Sequence, residues 1–163
     1  MKNRKLSQQA KKIIAGLIHL SIMMGLSSSA QAETLMLACD ATAKSGLSGS
    51  LEVMDSGTVR FSLRQGVKSF TCLMKIDLFN YGDKAIIPII SMSFSTISCS
   101  PALSMDLKNQ VFEDLSLDIQ WIQTTTPVPH FQWLKFVDSG ADSCKLRTFD
   151  RVLLKEKYQL WKK

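Results

Sequence analysis

The residues of this chain that could do chemistry are few and scattered. His130 stands between Pro129 and Phe131. A Ser-His-acid hydrolytic site could be assembled around it by the fold. No G-x-S-x-G elbow or other nucleophile context accompanies it, so an ordinary loop histidine is expected. The hydrolase alternative is tested by His130→Ala. Glu113 and Asp114 are adjacent, and on a strand adjacent side chains point to opposite faces. That is the wrong geometry for a carboxylate pair acting across one glycosidic bond. Asp114 and Asp118 share a face but lie about 13 Å apart at ~3.3 Å per residue. Arg60 and Arg64 share the polar face of an alternating segment. They could clamp an acidic partner, or simply keep a sheet face soluble.

The C-terminal end is the most suggestive region. Lys155, Lys157, Lys162 and Lys163 surround Leu154, Tyr158 and Trp161. Cations beside aromatic rings can hold an anionic lipid or polymer surface. The plainer expectation is a terminal element that packs Tyr158 and Trp161 on the body and leaves its lysines wet.

Four cysteines remain to be explained: Cys39, Cys72, Cys99 and Cys144. None has C-x-x-C spacing, which argues against zinc ribbons and thioredoxin-like redox sites. A histidine-based metal site would need more ligands than one histidine, so neither metal nor cofactor is expected. An even count in an exported chain implies two disulfides. Of the three pairings, the sequential one, Cys39–Cys72 with Cys99–Cys144, is preferred because short loops close most easily.

Export is read from the first 32 residues. MKNRKLSQQAKK carries five cations and no acid, Ile13–Leu26 is apolar apart from His19 and Ser21, and Ala30-Gln31-Ala32 fits the small-residue cleavage rule. Cleavage near Ala32 is expected, leaving a periplasmic or secreted domain over 33–163. The apolar run is short for a membrane-spanning anchor of about 20 residues. A rival address is the loose lipobox Met36-Leu37-Ala38-Cys39, separated from the apolar run by a polar break. Loss of Lys2, Arg4, Lys5, Lys11 and Lys12 would reduce 20 cations against 14 acids to 15 against 14. Bulk charge therefore gives no footing for nucleic-acid binding.

The elements that must position these residues are strands. Ala85–Cys99 contains no charge, and from Ile90 to Thr96 the even positions are Ile90, Met92, Phe94 and Thr96 against odd serines. That is a strand period. Ile97 and Cys99 reverse the parity, which predicts a β-bulge near Ser95–Thr96. Pro88 marks a strand start, an edge or another bulge. Further strands are expected at Thr34–Cys39, Leu51–Met54, Thr58–Arg64, Lys68–Ile76, Val111–Ile122, Phe131–Val137 and Cys144–Phe149. Phe131–Val137 is apolar on both parities and is expected to be buried on both faces. Loops or turns are expected at Lys44–Ser50, Asp55–Gly57, Gln65–Gly66, Asn80–Asp83, Cys99–Gln110, Thr124–Pro129 and Asp138–Asp142. Leu154, Tyr158 and Trp161 recur at helical spacing, so Val152–Lys163 reads as a short helix.

The fold class is thus all-β and mainly antiparallel, a single small barrel or sandwich with two disulfides and a short C-terminal helix. In outline such a domain resembles the bacterial lysozyme inhibitors. Their Ser-Gly-x-x-Tyr signature is not matched, because Ser139-Gly140 leads to Ala141, Asp142 and Ser143. No residue is carried across. The leading expectation is a non-enzymatic binding domain, inhibitor-like in kind, acting through protein–protein contacts. Candidate contacts are Arg60, Arg64, Tyr81 and His130, with the loops Asn80–Lys84 and Thr124–His130. The alternative is a cell-envelope-associated structural protein that touches an anionic surface through Lys155, Lys157, Tyr158 and Trp161.

Overall fold

The computed structural model describes residues 32–82, 89–122, 126–135 and 143–162. Residues 1–31, where the leader is expected, and the expected turn Asp138–Asp142 lie outside them, as do Pro88 and Lys84. Eight strands form one antiparallel sheet: β1 (Leu35–Thr42), β2 (Leu47–Met54), β3 (Val59–Gln65), β4 (Lys68–Gly82), β5 (Ile89–Ser100), β6 (Val111–Ile122), β7 (Thr126–Leu134) and β8 (Lys145–Phe149). Two helices accompany them, α1 (Met105–Gln110) and α2 (Arg151–Trp161). β1 to β7 follow one another as a meander, and β8 returns to pair with the free side of β1. The sheet curls into a nearly closed barrel.

Alternation decides what lies inside. Val59, Phe61 and Leu63 on β3 are buried, as are Phe70, Cys72 and Met74 opposite them on β4. Ile90, Met92 and Phe94 on β5 and Leu115, Leu117, Ile119 and Trp121 on β6 complete the same wall. From β7, Phe131 and Trp133 reach across the interior to Phe61, with ring centroids 5.8 and 6.0 Å away. Gly49 on β2 makes room for them. A Cβ there would stand 3.0 Å from carbons of both Phe61 and Trp133.

Several expectations need correction. Leu47–Ser50 belongs to β2 and not to a loop, its glycine being required by the core. The β3–β4 turn is Gly66-Val67, one residue later than expected, because Gln65 still pairs with Lys68 and Gly66 takes a positive φ of 59°. β4 does not stop at Ile76. Asp77 is an extra residue opposite β5, and this bulge reverses the facing of the strand. Phe79 and Tyr81 therefore turn inward, and Asn80–Gly82 is strand and not turn. Cys99–Gln110 is not wholly irregular: β5 runs to Ser100 and α1 follows, capped by Ser104 and anchored by buried Leu107. Thr126–Pro129 is strand. Pro127 and Pro129 are tolerated there because β7 is an edge, where a missing N–H breaks no interior ladder. β7 also alternates, with Gln132 exposed between Phe131 and Trp133, so it is not buried on both faces.

The disulfides are Cys39–Cys144 and Cys72–Cys99, not the sequential pairs. Cys72 and Cys99 are direct cross-strand partners on β4 and β5. Cys144 immediately precedes β8, whose return beside β1 brings it to Cys39. Sheet order outweighed loop length. Cys39, fully buried and bonded to Cys144, has no thiol free for lipid, so the lipobox reading falls. Two disulfides belong to an oxidising compartment. Among the described residues no helix is long and apolar enough to cross a membrane.

Candidate functional site

The sheet opens between β5 and β6. The two strands pair from Ile89–Gln120 to Ser95–Asp114 and then part. A register irregularity accompanies the parting on each side. β5 carries one extra residue at Ile97, between the Met74–Thr96 and Leu73–Ser98 pairs. This is the bulge that the parity change at Ser95–Thr96 predicts. β6 jumps in register against β7 between Val111 and Ser116, so its first residues swing away. α1 ends where β6 begins and fills the far end, with Leu107 as its plug.

The result is a groove of about 430 Å³ whose walls include Ser98 and Cys99 on one side and Phe112, Glu113 and Asp114 on the other. Leu103 and Lys108 close it. The Thr96 hydroxyl donates to the Glu113 carbonyl at 3.2 Å and marks the point where the walls separate. Beyond that point, among the described residues, no strand pairs with Ile97–Ser100 on the side facing β6. The groove carries two carboxylates, Glu113 and Asp114, against one cation, Lys108. Ile97 (59% exposed) and Leu73 (42%) add apolar surface on the neighbouring stretch of sheet. Asp77, at the β4 bulge, is held below the ordinary carboxylate range by the Ser95 hydroxyl and by Lys75.

The residues expected to bind a partner are not brought together here. Arg60 lies on the outer face of β3 and pairs with Glu33 at 3.5 Å. Arg64 Nε donates to the Gly66 carbonyl at 3.2 Å, bracing its own hairpin. Tyr81 is buried, where an exposed loop residue was expected. Its hydroxyl accepts from Arg151 Nε at 3.1 Å, and its ring meets Tyr158 at 6.0 Å. Tyr158 and Trp161 are half-buried against Phe79, at 5.4 and 5.7 Å, while Lys155 is exposed and Lys157 half-buried. α2 thus lays its apolar face on the barrel beside Gly57, and a second groove of about 370 Å³ remains between Trp161, Lys162, Lys75 and Asp77.

His130 is exposed on β7, directly across from Asp118 on β6, which in turn faces Ser91 on β5. The Ser91 hydroxyl donates to Asp118. The row runs Ser, Asp, His, with the acid in the middle. A nucleophilic site needs histidine between serine and acid. Here Ser91 and His130 stand two strand spacings apart, roughly 9.5 Å. On the opposite side Arg147 joins Asp40 and Glu52, each at 3.0 Å, and is raised above its ordinary value first by Glu52 and then by Asp40. That cluster fastens β8 to β1 and β2. Among the described residues no three of His, Cys, Asp and Glu gather as metal ligands.

Glu113, Asp114 and the parity change are each visible in the sequence, but their proximity is not. Their juxtaposition depends on the splay of two strands and on α1. No protein-family model matches the chain, and no curated protein or solved structure is significantly similar to it.

Proposed function

We propose that this chain is an exported, non-enzymatic binding domain that engages a protein partner through the opening between β5 and β6. One observation carries the reading: Ile97–Ser100 offers strand backbone, beside an acidic and partly apolar groove, with no strand among the described residues paired to it on that side. Two further features support it. The barrel interior is filled by Phe61, Phe94, Phe131 and Trp133, which favours recognition on the outside. The disulfide Cys72–Cys99 ties the open end of β5 to β4, so the surface is presented rigidly.

The envelope-anchoring alternative draws on the cations of α2. It is the weaker reading, because the rings it needs, Tyr158 and Trp161, are engaged by Phe79. A photo-crosslinking residue incorporated at Ser98, and separately at the fully exposed Val67, tests the proposal in cells that export the protein. A discrete protein adduct from Ser98 and none from Val67 is expected. No adduct from Ser98, or the same adducts from both positions, would overturn it.

A further inference from the structure

Resting on that reading, we infer that the opening takes an extended basic segment of the partner, added as a strand to the free side of β5 at Ile97–Ser100. Antiparallel pairing leaves every second residue of a strand with its N–H and C=O directed to one side. On β5 those groups meet β6 as far as Ser95, and beyond it they face the groove. Strand addition supplies partners for such groups directly, and pockets for alternate side chains supply selectivity. The open stretch from Ile97 to Ser100 matches a segment of about four residues, ~14 Å at 3.4 Å per residue.

Side chains around the groove define the segment. Leu103 and Phe112 offer an apolar wall, and Glu113 with Asp114 outnumber Lys108. The fitting segment places an apolar side chain on Leu103 and Phe112 and an arginine or lysine beside the two acids. A second copy of this chain is a poor occupant. Pairing β5 with β5 across a twofold axis would bring one acidic groove against another.

The test uses the oxidised protein and a phage-displayed library of random heptapeptides. The expected result is enrichment of peptides that combine arginine or lysine with β-branched or other apolar residues. Amide shifts on binding should concentrate at Ile97–Ser100 and Glu113–Asp114. The double variant E113K/D114K, altered only at exposed side chains, should bind those peptides at least about tenfold more weakly while keeping the parent circular dichroism and melting. If the variant does not fold, the enriched peptides are titrated against wild type in rising salt, where binding should weaken. Failure to enrich, enrichment without basic residues, shifts centred on Trp161, or a dimer formed through β5 would each overturn the inference. A Ser98 adduct without peptide enrichment would remove the strand-addition claim and leave the protein-binding proposal standing. Loss of both would remove both.

Discussion

Gly49→Val should cost more stability than its position on a β-strand suggests. In a strand interior, replacing glycine with a side chain ordinarily gains roughly 0.5–1 kcal/mol by restricting the unfolded backbone. Here a Cβ would lie 3.0 Å from Phe61 Cε2, 3.0 Å from Trp133 Cε3 and 3.1 Å from Trp133 Cζ3. Carbon pairs are comfortable at about 3.5–4.0 Å, so three aromatic carbons are crowded at once. Neither ring can swing aside freely. Phe61 is in edge contact with both Phe131 and Trp133, and Trp133 is fully buried and stacked on Phe131. Overpacking of this kind costs about 1–3 kcal/mol for a small increment. Gly49→Ala should therefore lose about 1 kcal/mol net, and Gly49→Val about 3 kcal/mol with its two further methyls. Urea unfolding of the oxidised proteins measures this. Gly82→Ala is the control, since its Cβ would meet only the Ile89 backbone at ordinary contact distance, the carbonyl oxygen at 3.5 Å and the nitrogen at 4.0 Å, and it should stay within about 0.5 kcal/mol of wild type. A Gly49→Val protein as stable as wild type would refute the packing of Trp133 across the barrel onto β2.

Other perturbations have distinct signatures. Cys39 and Cys144 are 105 residues apart and Cys72 and Cys99 are 27 apart. Loop-closure entropy assigns these bridges about 5 and about 3.5 kcal/mol, so C39A/C144A should melt below C72A/C99A. Leu154→Ala should cost about 2–5 kcal/mol, because Leu154 is the fully buried residue of α2, and exchange of the helix amides should rise with it. Glu33, hydrogen-bonded by Ser56 and Thr58, and Asp77, facing the Ser95 hydroxyl and paired with Lys75 at 3.1 Å, are both held below the ordinary carboxylate value when folded. Their contribution is present above that ordinary value and lost as pH falls through the lowered ones, below about pH 4. E33Q/D77N should accordingly flatten the decline of the urea midpoint in that range.

Much of this architecture is readable from side-chain parity. Val59-Phe61-Leu63, Ile90-Met92-Phe94 and Leu115 to Trp121 point inward as their alternation requires, and Leu154, Tyr158 and Trp161 face the barrel at helical spacing. The parity change after Thr96 marks a real bulge. What parity does not carry is order in space. The disulfide pairing follows from β8 returning to β1, a contact between distant segments. The second bulge, at Asp77, was hidden because Ile76, Phe79 and Tyr81 are apolar on both sides of it. Residues 47–50 and 126–129 resemble loops in their glycine and proline content. In fact Gly49 serves the core, and the prolines sit on an edge. The candidate site depends on two strands diverging, which no single segment announces.

Amide hydrogen exchange along β5 of the free, oxidised protein tests the open edge most directly. The backbone of Ile90–Phe94 is paired on both sides, to β4 and β6, and should exchange slowly at every amide. From Ile97 to Ser100, alternate amides should remain slow through β4 while the intervening ones, facing the groove, exchange rapidly. Uniform protection from Ile90 through Ser100 would mean that β5 is paired along its whole length. The opening, and the binding role assigned to it, would then be contradicted.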